Sequence, residues 1–349
     1  MKGKLRFFLF VTVFILLLVF TGSGKANAQG VDVGDFVRLG IGGSSLSMGG
    51  AYVAVGGDTS TAFWNPGGIT GLKSSRVGGM YTDRFSAGII YQYLGGIGVV
   101  EFDEGVQTSS KKARSDSNLI SNLARYNPIR GTVGIGLTRI SMNIGNLDYY
   151  AGNQVGEKRT LWLGSAGYEF PERSLLGGLS FGANVKRYGR SVNEEKAAGW
   201  GYDLGMMYEK RLKVGNLPFL GKIGLCVQDP GSVDLDSKNA GDFQAAGTVP
   251  QYNRIGLAIG YMSSVPTLIS LEYDFSLARP QLNRVSAGTE VSFAGLFHLR
   301  GGINKWAREE KLTFTGGAGF DIGRFSIDYA YVPHVALGAT HVVSLDLTF

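Results

Sequence analysis

The chain ends Val343-Ser344-Leu345-Asp346-Leu347-Thr348-Phe349, and this stretch decides the fold. Successive side chains of an extended strand point to opposite faces, so Val343, Leu345, Leu347 and Phe349 share one side and Ser344, Asp346 and Thr348 the other. A chain that stops inside such a strand suits a closed sheet whose last strand pairs with its first. The terminal aromatic after alternating residues resembles the signal read by the barrel-assembly machinery.

The same period of two recurs upstream. Ile255, Leu257, Ile259 and Tyr261 oppose Arg254, Gly256, Ala258 and Gly260; Ile269, Leu271, Tyr273 and Phe275 oppose Ser270, Glu272, Asp274 and Ser276; Phe325, Ile327, Tyr329 and Tyr331 oppose Arg324, Ser326, Asp328 and Ala330. One face is apolar and the other charged or tiny, which fits either a soluble sandwich or a membrane barrel. Tyr and Phe near the segment ends, an export signal and the terminal strand favour the transmembrane antiparallel barrel. Fifteen strand-like segments run from 75–82, 86–93 and 95–102 to 340–349. Single-chain bacterial barrels have an even number, so one boundary is misplaced, in the Gly-rich run Ser86 to Glu101, and fourteen is the expectation. The long polar connections 103–128, with Ser109-Ser110-Lys111-Lys112, and 229–250 are expected to face outward, because the long loops of such barrels are extracellular.

At the other end, Lys2, Lys4 and Arg6 precede an apolar run from Phe7 to Phe20 and a small-x-small site, Ala26-Asn27-Ala28. That is the pattern of a secretory signal peptide over 1–28, with an apolar run of about 14 residues, short of the ~20 a spanning helix needs. No Cys follows the run to carry a lipid. Its removal lowers the formal charge from +6 to +2. The remaining Lys and Arg are interspersed with acids, so no basic stripe points to nucleic acid. One Cys, Cys226, excludes an intramolecular disulfide. A long exported chain without a bridge, with 54 Gly, 20 Phe and 16 Tyr, suits a hydrogen-bonded barrel over 73–349 in the bacterial outer membrane.

Residues 29–72 differ in character. Gly40-Ile41-Gly42-Gly43 leads to Met48-Gly49-Gly50-Ala51-Tyr52-Val53-Ala54-Val55, then Asp58, then Phe63-Trp64-Asn65-Pro66-Gly67-Gly68. Such a backbone turns tightly and approaches other segments closely, as a plug must. This order resembles the N-terminal hatch of the FadL superfamily of outer-membrane proteins and is closest to its PorV/PorQ branch, where the last strand often reads like Thr340-His341-Val342-Val343-Ser344-Leu345. The match covers about 40 residues at the start and 10 at the end. It implies a fourteen-stranded barrel closed by a hatch, in which Gly40, Met48, Gly49, Gly50, Asp58, Trp64, Asn65, Pro66 and Gly67 carry the hatch motif. It also implies passive uptake or binding of hydrophobic small molecules, with a sideways exit at a kinked strand, here the Gly95-Gly96 region. The PorV branch implies an alternative, a type IX secretion component that receives or anchors exported cargo. The superfamily motif is Asn-Pro-Ala; Gly67 departs from it and reads as a more flexible turn. Implied partners are outer-membrane lipid, the assembly machinery, and hydrophobic molecules or secretion-system proteins.

Several residues carry two readings. Asn65-Pro66 is a gate or only a turn. Phe63 and Trp64 line a ligand site or anchor the segment to the wall. The inward residues Arg254, Glu272, Asp274, His298, Arg300 and Asp328 recognise a ligand carboxylate, or pair with one another and with the hatch; the pairing reading is favoured. His298, His334 and His341 lie on separate segments without metal spacing, and Asp229, Asp234, Asp236 and Asp242 lack the Gly and Glu of a calcium loop. The Gly40 to Ser45 run is not a nucleotide fingerprint. Cys226, on a polar face with Lys222, Gly224 and Gln228, reads as a small filler. No catalytic spacing and no cofactor motif appears, so no enzyme is expected.

Overall fold

The alternating segments become strands that pair antiparallel with their neighbours. The computed structural model describes residues 32–102, 131–149, 153–171, 174, 176–237, 246–334 and 337–349. The signal-peptide expectation for 1–28, residues 29–31, connection 103–128 and part of 229–250 therefore fall wholly or partly outside the described residues. The strands are β1 (Arg76–Arg84), β2 (Ile89–Phe102), β3 (Gly131–Tyr149), β4 (Asn153–Glu169), β5 (Leu179–Val192), β6 (Glu195–Val214), β7 (Leu217–Gln228), β8 (Val233–Ser237), β9 (Gly247–Val249), β10 (Tyr252–Tyr261), β11 (Thr267–Phe275), β12 (Arg284–Phe293), β13 (Phe297–Trp306), β14 (Thr313–Ile322), β15 (Phe325–His334) and β16 (Gly338–Thr348).

β1 to β7 pair in chain order, β7 pairs with β10, and the ladder runs on to β16, which returns to β1. The result is a closed barrel of fourteen strands. β8 and β9 are a small hairpin in the β7–β10 connection, and β8 also touches β6 through Ala197↔Ser237. The surplus segment arose where expected: 86–93 and 95–102 are one strand, β2. Gly95 pairs with Gly78 and Thr138, and Gly96 with Val77 and Leu137. The ladder is unbroken on both sides, so the expected kink at Gly95-Gly96 is absent. A Cβ at Gly95 would meet the Thr138 hydroxyl at 2.7 Å; the glycine makes room for a neighbour instead of bending the strand.

The long connections also need correction. Five strands, β3 to β7, separate them, and an odd number of crossings carries the chain to the opposite end. Phe102 and Gly131, which flank connection 103–128, stand at the lower end, beside the start of β1 and the end of β16, whereas Gln228 and Tyr252, which flank connection 229–250, stand at the upper end. The two connections are rooted at opposite ends of the barrel. The other lower turns are mostly tight: Gly323, at φ 63°, opens the two-residue β14–β15 turn in a conformation that suits glycine.

The faces divide as a membrane barrel requires. Leu257, Ile259, Leu271, Phe314, Val343 and Leu345 point outward and are about half exposed, while Arg254, Glu272 and Asp274 point inward and are fully buried. A sandwich would reverse this. An apolar exterior of this extent fits hydrocarbon. None of the described helices is long and apolar enough to cross a membrane. Val77, Gly79 and Tyr81 pair with Leu347, Leu345 and Val343, so the terminal strand closes the barrel against the first.

Residues 32–72 fill the lumen. Asp32 bridges Thr248 of β9 at the upper end, and Leu72 leaves at the lower end, just before β1. Between them lie three short helices, Asp35–Arg38, Gly43–Ser47 and Thr61–Trp64, and a 3-10 turn, Pro66–Gly71.

Candidate functional site in the lumen

The N-terminal segment is organised around Asp58 and Trp64. Asp58 accepts from Ser44 Oγ, from Tyr52 OH at 3.0 Å, and from the Ser60 amide and hydroxyl at 2.9 and 2.5 Å. One carboxylate thus gathers residues 44 to 60. Burial, with Asp58 beside it, pushes the Tyr52 phenol well above its ordinary pKa, so it remains a donor. Trp64 is fully buried, donates Nε1 to Ile41 O at 2.9 Å and meets Phe63 and Tyr52 edge-on. Gly40 seats it: a Cβ there would lie 2.7 Å from the indole.

Asn65 ties three elements together. Its Nδ2 donates to Val53 O at 2.9 Å and to Met206 O of β6 at 3.0 Å, and its Oδ1 accepts from Gly67 N at 3.0 Å, capping the turn that Pro66 opens. The motif is both a turn and a wall anchor. Gly67 has a steric reason, not the flexibility expected: a Cβ would approach the Met206 backbone to 2.9 Å. An alanine would not fit.

The wall meets the segment in two ways. Across β3 to β6, Gly134, Gly167, Gly182 and Gly205 are paired directly in register and form an inward row. A Cβ on Gly134 or Gly167 would meet Ile69 at 2.9 Å, and one on Gly182 would overlap the Pro66 carbonyl. These glycines let the wall approach the segment directly. In register after Gly205 come Cys226 and Arg254, so the buried Cys226 is a small filler in the same row.

Elsewhere polar side chains hold the segment's backbone. Glu272 Oε2 accepts the amides of Tyr52 and Val53 at 2.6 and 2.7 Å; Ser270 donates to Ala51 O at 2.7 Å, and Thr315 to Ser47 O at 2.9 Å. Asp346 accepts Thr59 N, and Ser344 Oγ accepts Gly43 N, each at 3.0 Å. Gly49 and Gly50, both at positive φ, pass the wall where a Cβ would strike Ile303 backbone at 2.8 Å and the Arg284 guanidinium at 2.6 Å.

The inward charges named from sequence are all paired, with one another or with neighbours on the wall. Arg254 lies 3.8 Å from Glu272 and 4.5 Å above the Trp64 ring; Asp274 binds Arg284 at 2.5 Å. Arg300 joins Glu290 and Asp328, and His298 joins Asp321 at 3.2 Å and Ser292 at 2.8 Å. Sequence reading missed the partners Arg284, Glu290 and Asp321. It also missed a buried group near the upper end: Lys186 binds Asp203 at 2.7 Å and Asp229 at 2.8 Å, and Tyr188 donates to Asp229 at 2.7 Å. Asp229 was weighed only as a calcium ligand. Among the described residues no group of His, Cys, Asp and Glu is placed to hold a metal ion.

The inner face of β1 to β4 is mostly apolar, although Glu157 and Arg159, the cross-strand partner of Met142, turn inward near its upper end. Met80, Tyr91, Tyr93, Ile140, Met142, Leu161 and Leu163 are buried and pack with Phe36, Ile41 and Trp64 in one cluster. This sector reaches the β1–β16 seam, where pairing stops at Tyr81↔Val343 although β1 continues to Arg84 and β16 begins at Gly338. There Thr82 Oγ1 donates to His341 O at 2.7 Å. At the lower end a cavity of about 800 Å³ opens where the segment leaves the lumen, lined by Thr70, Leu72, Val99, Phe170 and Met207 among others.

No protein-family model matches the sequence, and no curated protein matches it either. Among solved structures, the Pseudomonas putida toluene transporter TodX superposes with a TM-score of 0.53 at 13% identity, covering 89% of this chain and 98% of that one. A TodX deltaS2S3 mutant channel gives 0.50 at 14% identity over 89% and 99%. A Pseudomonas aeruginosa FadL homologue gives 0.49 at 11% identity over 88% and 97%. At these identities the likeness is one of fold: the chain is a closed fourteen-stranded antiparallel barrel of the architecture seen in TodX.

Proposed function

We propose that the protein is a bacterial outer-membrane barrel for the passive uptake or binding of hydrophobic small molecules, with residues 29–72 as its hatch. The observation that carries this is the apolar inner sector of β1 to β4. Barrel interiors of this kind are polar, yet here Met80, Ile140, Met142, Leu161 and Leu163 turn inward. Burying an apolar solute against such a face gains about 25 cal/mol per Å². The hatch occupies this face, so passage requires it to yield, and the seam above Tyr81↔Val343 is the proposed exit toward lipid. Likeness of fold to a toluene transporter supports the solute class.

The test is uptake of labelled toluene and of a long-chain fatty acid by intact Gram-negative cells with and without the protein. Intact cells matter because apolar solutes cross plain phospholipid unaided. Saturable uptake above the empty cells is expected for at least one solute. Equal uptake in both would refute the proposal.

A further inference from the structure

The outer wall carries a feature that lumen transport does not use. On β3 to β6, Arg139, Trp162, Arg187 and Trp200 are direct cross-strand partners in consecutive ladders and point outward. Each guanidinium lies over the next indole, Arg139 at 5.6 Å from Trp162 and Arg187 at 5.0 Å from Trp200. The indoles are 44% and 67% exposed. Cation-π contact fixes the arginines without neutralising them.

The ladder lies on a boundary. The row below it is Leu137, Gly164, Val185 and Tyr202, and the next is Ile135, Ala166, Ala183 and Leu204; all are apolar or glycine. The rows above are Ser141, Thr160, Gly189 and Ala198, then Asn143, Lys158, Ser191 and Lys196. Trp gathers at such apolar-to-polar interfaces. Lys158 and Lys196 bring the cations on this face to four. Among the described residues none of these four side chains has a hydrogen bond or an ion pair. The described carboxylates of these strands toward the upper end, Glu157, Glu195 and Asp203, lie on the inner side: Glu157 binds Arg159, Asp203 binds Lys186, and Glu195 shares the row of Glu157, while Glu194 lies in the turn beyond Lys196. Below Trp162, a Cβ on Gly164 would meet nothing within 4 Å, which leaves an open notch between Leu137 and Val185.

We infer that this face is a binding site for a membrane lipid with an anionic, phosphate-bearing headgroup, held by Arg139 and Arg187 with an acyl chain along the Gly164 notch. Guanidinium is suited to phosphate because its planar fork donates in pairs. A second protein is a poorer occupant, since the apolar rows below belong at acyl-chain depth. The inference requires the barrel to sit in a membrane but is independent of what passes through its lumen.

Native mass spectrometry of the purified full-length barrel, titrated with dioleoylphosphatidylglycerol or dioleoylphosphatidylcholine, tests it. At about a fivefold gain per cation near the headgroup, Arg139 and Arg187 together should contribute roughly tenfold or more to the preference of the wild type for the anionic lipid. Arg139→Gln/Arg187→Gln should lower the preference by about that factor, whereas Lys305→Gln on the opposite wall should leave it unchanged. Equal retention of both lipids by the wild type, or a preference that the double substitution leaves undiminished, overturns the site. If that variant does not fold, brominated forms of the two lipids are compared on a Trp306→Phe background, where Trp64 is fully buried. Stronger quenching of Trp162 and Trp200 by the anionic lipid is expected; equal quenching contradicts the inference.

Discussion

Two parts of the lumen wall hold the same segment by opposite means. Across β3 to β6, the glycines Gly134, Gly167, Gly182 and Gly205 let backbone lie on backbone. Across β10 to β14, Glu272, Ser270, Arg284 and Thr315 reach out and grip the segment's amides and carbonyls. The first contact is steric and tolerates no added atoms. The second is electrostatic and tolerates no lost partner. The N-terminal segment is thus seated by steric fit on one side and held by polar contacts on the other.

The largest effect should follow a lost partner. Glu272→Ala strips the Tyr52 and Val53 amides of their acceptor and leaves Arg254 without its carboxylate. Breaking a buried pair on one side costs about 3–5 kcal/mol. Thermal unfolding in detergent should show that loss, with faster proteolysis of residues 32–72. A change under ~1 kcal/mol would mean the grip is dispensable.

Gly182→Val attacks the steric side by placing atoms on the Pro66 carbonyl. Overpacking of this kind costs about 1–3 kcal/mol. Gly164→Val, on the neighbouring strand but facing out with nothing within 4 Å, should stay within about 0.5 kcal/mol. Similar losses for both would remove the glycine row from the account.

Asn65→Ala deletes two donations and a cap at once. A loss of about 2 kcal/mol is expected, together with earlier cleavage near the Val53 to Gly67 stretch in timed proteolysis. Stability equal to wild type would leave Asn65 as a turn former only.

The smallest effect is pH-dependent and lies at the upper rim. Burial raises the Asp229 carboxyl to about 6 against the pull of Lys186, with Asp203 adding to the rise. A raised carboxyl binds its proton more tightly in the folded state, so its contribution is fully present below its ordinary pKa of 3.8 and fades as pH rises through about 6. Asp229→Asn should flatten that part of the stability profile between pH 4 and 6 without moving the rest. Asn tolerates the left-handed backbone at this position, where φ is 51°. An unchanged slope would assign the dependence to other groups.

Much of the fold was legible because period two is a local signal. The terminal strand, the β10, β11 and β15 faces and the location of the surplus segment all follow from alternation along a single strand. The inward position of Arg254, Glu272, Asp274, Arg300 and Asp328 was legible for the same reason. What joins one strand to the next was not. The Gly134–Gly167–Gly182–Gly205 row and the Arg139–Trp162–Arg187–Trp200 ladder depend on register, which is set by turns and closure and leaves no mark along the chain. Glycine at the inward position of consecutive strands was the available clue. The Lys186, Asp203 and Asp229 group hid for the same reason, and the long connections were misplaced because the strands between them were not counted for parity.

If apolar solute travels along the inner face of β1 to β4, as proposed, and not along the charged wall, toluene uptake by intact cells should respond to Ile140→Lys and not to Glu290→Gln, each barrel being verified as folded by its heat-shifted electrophoretic mobility. Ile140 lies buried in the apolar sector between Tyr93 and Leu161, whereas Glu290 binds Arg300 at 2.6 Å across the lumen. A cation at Ile140 should lower uptake by roughly tenfold or more, with Glu290→Gln close to wild type. Uptake that survives Ile140→Lys but is lost in Glu290→Gln would place the route on the charged wall and contradict the proposal.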